Sequence, residues 1–171
     1  SAIGQNALDE VEGASYNVAL GHAALKKNRF TSRTVAVGDS ALFNNGTTIN
    51  LPSPALEGNT AVGSKALFTN DTGAQNTALG FEAGLNTNGD ANVFVGHEAG
   101  YSNDEGFGSI YLGQKAGYSD VSGLLNTYIG FQSGFNATPS DGSQIFIGAH
   151  TGENTLDGGS NLFIGNYAGA S

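Results

Sequence analysis

The sequence predicts an all-β fold, a parallel β-solenoid, on three observations. One short tile, an apolar triplet closed by glycine, recurs along the whole chain. Its period, about 17 residues, is too short for helical-hairpin repeats. Between the glycines no 3.6-residue apolar period lasts the ten or so residues a helix needs.

The closing glycines are Gly4, Gly21, Gly38, Gly63, Gly80, Gly96, Gly113, Gly130, Gly148 and Gly165, and they define ten units, here coils 1 to 10. Their spacing runs 17, 17, 25, 17, 16, 17, 17, 18 and 17, so a single eight-residue insertion, Thr47–Pro54 ("TTINLPSP"), interrupts a regular array. We read residues 1–171 as one solenoid domain with that inserted loop. Because the chain opens and closes inside a repeat, it is expected to be a piece of a longer protein.

Each coil is expected to place its apolar triplet on a strand. In order these are Ala2–Ile3, Val18–Leu20, Val35–Val37, Thr60–Val62, Thr77–Leu79, Val93–Val95, Ile110–Leu112, Thr127–Ile129, Ile145–Ile147 and Leu162–Ile164. A second short extended run, such as "EAGY" at 98–101, is expected after each glycine, with Gly, Asn, Asp, Ser and Thr supplying the turns. Stacked at about 4.8 Å per coil, ten coils make a rod roughly 50 Å long.

Four residues before the glycine stands a polar column, Asn17, Thr34, Asn59, Asn76, Asn92, Ser109, Asn126, Gln144 and Asn161. Stacking predicts a ladder of side-chain amides bonded to one another. Side chains alternate faces along a strand, so the triplet is apolar on both sides, while a thin coil has one interior. The other face calls for a partner, most simply further copies of the chain. Which face is interior and which is the interface stays open at this stage.

Size patterns sharpen the core. Two residues before the glycine, Ala2, Ala19, Ala36, Ala61 and Ala78 give way to Phe94, Tyr111, Tyr128, Phe146 and Phe163. Four residues after it, Leu8, Leu25, Leu42 and Leu67 give way to Gly84, Gly100, Gly117, Gly134, Gly152 and Gly169. Close-packed layers conserve volume, so the two positions should face each other. Coil 5, with Ala78 and Gly84, has neither bulky member and is expected to pinch in or to borrow an aromatic such as Phe81. The column before the glycine, Val95, Leu112, Ile129, Ile147 and Ile164 in the aromatic half, completes the expected structural or intersubunit core.

The chain carries a net charge of −9 with no Cys. Residues 22–46 hold Lys26, Lys27, Arg29 and Arg33 against Asp39, which leaves +3 there and −12 elsewhere. This basic turn, together with Thr47, Thr48, Ile49, Asn50 and Leu51 of the insertion, forms the candidate ligand contact, since loops on a rigid scaffold carry recognition. Nucleic acid is not an expected partner, and no stretch is apolar for long enough to cross a membrane as a helix.

Chemical motifs are missing. No GxxxxGK[ST] occurs, and the GGxGxDxUx nonapeptide of calcium-binding β-rolls is absent. Turn acids Asp71, Asp90, Asp104, Asp120 and Asp157 remain the only cation candidates, and His22, His97 and His150 fall on separate coils. No catalytic constellation repeats, so neither an enzyme nor a bound cofactor is expected. Ice binding would call for an unbroken Thr column, which Val18, Val35, Val93, Ile110 and Ile145 interrupt.

Units such as "NVALGHAAL" (17–25), "NTAVGSKAL" (59–67) and "NTALGFEAG" (76–84) resemble the N-S-V-A-I-G-x-x-A/S repeat of YadA-like heads, the head domains of trimeric autotransporter adhesins. That resemblance implies a left-handed parallel β-roll and a homotrimer around a common axis. It also implies display on a bacterial surface, anchored to the outer membrane by other regions, and binding to host matrix, glycan or cell-surface receptors. The longer unit and the aromatic second half depart from the family. Those later units resemble repeats of large bacterial surface proteins and of phage-type tail fibres, which makes a fibre shaft on a virion tail the alternative.

Overall fold

A computed structural model describes residues 1–47, 57–138, 142–156 and 158–170. The described residues form a parallel β-solenoid with no helix, ten short strands stacked in chain order in one sheet. They are β1 (Ala2–Ile3), β2 (Val18–Leu20), β3 (Val35–Val37), β4 (Thr60–Val62), β5 (Thr77–Leu79), β6 (Val93–Val95), β7 (Ile110–Leu112), β8 (Thr127–Ile129), β9 (Ile145–Ile147) and β10 (Leu162–Ile164). Register follows the tile: Ala61 pairs with Ala36 across the insertion, and Phe94 lies between Ala78 and Tyr111. The insertion therefore leaves the ladder in step. Of it only Thr47 is described, its N–H and Oγ1 both donating to Asp71 Oδ1; Thr48–Pro54 lie outside the described residues.

The structure settles which strand face is interior. The middle residue of each triplet points inward: Ala19, Ala36, Ala61, Ala78, Phe94, Tyr111, Tyr128 and Phe146 are buried, and Phe163 packs against them. The residues on either side of it point out of the coil, Leu20, Leu79, Leu112 and Ile147 among them. Val93 and Val95 are therefore outward and partly exposed in the single chain, on the face opposite Phe94.

The expected second extended run is instead a block of turns. Residues two and four places past the glycine take positive φ, for example Lys65 at 55° and Leu67 at 51°, or Glu98 at 55° and Gly100 at 61°. Alternating right- and left-handed backbone curls this segment, so each coil has one strand. Its amides still ladder to the next coil, as in Leu67 N–H to Ala83 C=O (3.0 Å) and Gly100 N–H to Ala116 C=O (2.9 Å). Those bonds satisfy the backbone and hold an otherwise strained conformation.

The size exchange is a physical contact. A Cβ on Gly117 would lie 2.6 Å from Tyr111 Cδ2, and one on Gly134 2.7 Å from Tyr128 Cδ2, so each ring fills the space that its glycine leaves. The interior rings stack along the axis at 4.9 Å (Tyr111–Tyr128), 4.8 Å (Tyr128–Phe146) and 5.1 Å (Phe146–Phe163), within 10° of parallel. Phe94, first of the series, tilts 44° from Tyr111. It leans over Gly84, where a Cβ would lie 2.5 Å from its Cδ2. Coil 5 thus borrows Phe94 from the next coil. Phe81 points outward and stacks on His97 at 5.1 Å, because it lies past the corner glycine, outside the inward-facing column.

The polar column is a ladder, wired differently from the expected one. Asn59 Oδ1 accepts the backbone N–H of Asn76 (2.9 Å), and its Nδ2 donates to the carbonyl of Gly73 (2.7 Å). Asn76 and Asn92 repeat the pattern on the coils that follow them. Each of these three amides staples the next coil's backbone at two points, accepting from one N–H and donating to one C=O in the filled interior.

Candidate interaction surfaces

Four surfaces and one interior cluster carry the chemistry of the rod. The outward sheet face is the most extensive: columns led by Val18 and Leu20 run its length, Leu79 is 49% exposed and Ile164 66%. Thr appears there only at Thr60, Thr77 and Thr127, so the strip is apolar and not a hydroxyl array. Ten strands make a strip roughly 45 Å long. Monomeric proteins rarely expose contiguous apolar surface on that scale.

The expected core residues divide between the two faces of the sheet. Phe94, Tyr111, Tyr128, Phe146 and Phe163 belong to the interior of the coil, whereas Val95, Leu112, Ile129, Ile147 and Ile164 belong to the outward strip. A single chain covers the first set and leaves the second to water.

The basic turn is partly neutralised. Arg29 pairs with Glu12 and Arg33 with Glu57, each on an adjoining coil. Lys26 and Lys27 stand over the ring of Phe43, at 5.9 and 5.2 Å from its centroid. Both arginine pairs lie at the surface, where such pairs contribute about 0.2–1 kcal/mol. Reversing Arg29 and Arg33 together is therefore expected to lower the thermal midpoint by no more than a few degrees, which a melting curve can check.

Phe43 begins a surface column of aromatic rings five residues past the glycine. Phe43 stacks on Phe68 at 5.2 Å, Tyr101 on Tyr118 at 4.9 Å and Tyr118 on Phe135 at 5.2 Å. The rings cover each other's faces and turn their edges outward, so this column braces the coils. Burial, followed by the Glu98 charge, raises the pKa of Tyr118.

The turn acids scatter. Asp71 and Asp104 line an open cleft of about 500 Å³ with Thr69, Asn88 and Glu105, where Asn88 Nδ2 donates to Asp104 Oδ1 (2.7 Å). Asp90 Oδ1 accepts the Ala74 N–H (2.8 Å), and Asp157 lies outside the described residues. Among the described residues no three His, Cys, Asp or Glu gather as a metal site. His22 bonds Asp39 (2.8 Å), and His150 bonds Glu153 (2.9 Å) and stacks on Tyr167.

Asp120 is not a turn acid at all; it is fully buried inside the coil. It belongs to a second polar column, seven residues past the glycine, that the sequence reading did not single out: Asn28, Asn45, Asn70, Thr87, Asn103 and Asp120 are all fully buried. Four Asn recurring at that one offset were the available signal. Tyr111 OH donates to Asp120 Oδ2 (2.6 Å), as does Asn126 Nδ2 (2.9 Å). Burial raises the Asp120 carboxyl above its ordinary range against the opposing pull of these bonds. Burial, then the nearby Asp120 charge, pushes both Tyr111 and Tyr128 well up.

Among known protein families, curated proteins and solved structures, none matches this chain. No helix among the described residues is long and apolar enough to cross a membrane.

Proposed function

We propose that the chain is a rigid, non-enzymatic rod, the head of a bacterial surface adhesin, in which three copies bury their outward sheet faces against one another. The observation that supports this reading is the apolar strip itself, over coils whose other surface positions change from one to the next. The column of Leu20 is aliphatic in every coil, and the column that starts at Val18 is broken only by Thr60, Thr77 and Thr127. Burying such a strip contributes about 25 cal/mol per Å² of apolar area. The turns then face outward to meet matrix, glycan or cell-surface receptors, with Lys26 and Lys27 as the cationic contact, and we assign the insertion Thr47–Pro54 a share in that recognition. The setting is extracellular, with the anchor in other parts of the protein.

Sedimentation tests the assembly. The wild type is expected to run as a trimer. Leu112→Lys with Ile129→Lys is expected to give monomers of unchanged far-ultraviolet circular dichroism, since both positions lie on the outward side of the sheet. A wild-type chain that sediments as a stable monomer overturns the reading. Binding is tested on arrayed glycans and matrix proteins. Reversing Lys26 and Lys27 is expected to weaken capture of anionic glycans about tenfold while leaving the melting curve in place, and undiminished capture removes that contact from the proposal.

A further inference from the structure

The interior polar column ends at a fully buried carboxyl with no cation beside it among the described residues. Asn103 and Asp120 occupy successive rungs, where Asn103 Nδ2 donates to the Asp120 backbone carbonyl (3.4 Å) and to Tyr111 OH (3.5 Å). Asn103 Oδ1 and Asp120 Oδ1 are both buried acceptors without a partner, and the buried Tyr128 OH, which approaches the same carboxyl, also lacks one. An ionised carboxyl that is fully buried, with one oxygen unpaired and no cation beside it, is costly to keep charged. A proton on Asp120 Oδ1 removes that charge, makes Oδ1 a donor for the unpartnered Tyr128 hydroxyl oxygen, and needs no extra room in a filled interior.

We propose that the Asp120 carboxyl is a proton-binding site built into the rod, which tightens coils 6 to 8 in acid surroundings and loosens them as the medium becomes neutral. In the acid form the carboxyl is neutral, Oδ1–H turns to the Tyr128 hydroxyl oxygen, and Oδ2 keeps its bonds from Tyr111 and Asn126. In the ionised form only neutral donors, those of Tyr111, Asn126 and Tyr128, hold the charge inside the coil. The titratable groups that face the carboxyl are Tyr111 from β7 and Tyr128 from β8, and no basic side chain is among the groups that shift it. Burial raises its pKa in the folded coil. The folded state therefore holds this proton more tightly than the unfolded chain. The resulting stabilisation is complete below the ordinary carboxylate range and is lost as pH rises through the native value.

The test is Asp120→Asn, which restores the residue found at Asn28, Asn45, Asn70 and Asn103 of the same column and supplies donors at every pH. Carboxyl carbon NMR of aspartate-labelled protein is expected to show one resonance titrating above the others, and that resonance is absent from the variant. Between pH 4 and pH 9 the melting midpoint of the wild type is expected to fall relative to the variant, by roughly 3 °C or more. Amide exchange in coils 6 to 8 should quicken over the same range, while coils 2 to 4 stay constant. An Asp120 resonance that titrates with the exposed carboxylates overturns the proposal. So does a wild-type-to-variant difference that is independent of pH.

Discussion

Phe94→Ala is expected to destabilise the rod by about 3–5 kcal/mol, the usual loss for an emptied aromatic site, and Gly84→Leu should undo much of that damage. Phe94 fills the space over two glycines, with Cδ2 against Gly84 and Cδ1 2.3 Å from where a Gly100 Cβ would stand. Removing the ring opens coil 5 and coil 6 together. Alone, Gly84→Leu drives its side chain into Phe94 and places leucine at a φ of 58°, so it too should cost about 2–4 kcal/mol. Together the two changes give coil 5 an alanine before its corner and a leucine after it, the combination that coil 4 already carries as Ala61 and Leu67. Coil 6, its ring replaced by a methyl group beside Gly100, becomes the new junction, and Tyr111 already lies 3.0 Å from the Gly100 Cβ position. Thermal unfolding of the cycle should show a double variant at least about 2 kcal/mol more stable than the sum of the singles predicts. Simple additivity would mean that the exchange of sizes is not a contact.

That cycle works because the volume pattern was legible in the sequence: Leu67 yields to Gly84 one coil before Ala78 yields to Phe94, and only a shared layer accounts for both. The strands were legible for a similar reason, since register locks every triplet to its glycine. Other features had no mark. Glu98 and Lys115 take positive φ (55° and 57°) at positions where nothing in their chemistry asks for it, and so the turn block read as a strand. The inward side of the triplet was hidden because both sides are apolar. The amide wiring depends on backbone groups some fourteen residues ahead of each Asn, as in Asn59 to Gly73, which no single-residue pattern reports. Recognition is the least legible part, because surface columns change coil by coil, from Lys26 to Phe43 to Leu85 to Tyr101, while the demands of the fold repeat only the interior.

The two halves also store strain differently. Leu25, Leu42 and Leu67 are fully buried and hold φ near 50°, an arrangement that costs each of them about 1–2 kcal/mol. In the aromatic half glycine occupies that position without a Cβ clash, and the ring from the preceding strand supplies the buried volume. Amide exchange is accordingly expected to be slower in coils 7 to 9 than in coils 2 to 4. The Asp120 carboxyl works against that gain when ionised.

The corner glycines offer the sharpest separation of strain from collision. Gly96 holds φ at 136°, and a Cβ there would lie 2.5 Å from the carbonyl oxygen of Gly113, on the backbone of the next coil. Within residues 1–171, where no coil stacks on it, Gly165 holds nearly the same conformation, φ 125°, with no atom within 4 Å of its Cβ position. Alanine at Gly165 of this 171-residue chain thus meets only the unfavourable backbone region, about 1–3 kcal/mol, confined to coil 10. Alanine at Gly96 meets that and a backbone it cannot displace without breaking the Gly113 N–H to Val95 C=O bond (2.8 Å) and the rungs beyond it. The expected loss exceeds ~4 kcal/mol, and because each coil rests on its neighbours it should split the array. Gly165→Ala is expected to melt within a few degrees of wild type. Gly96→Ala should show early exchange of coils 5 to 7 or fail to accumulate as folded protein. Equal losses at the two positions would mean that backbone strain alone fixes glycine at the corner, and that the close approach of successive coils plays no part in it.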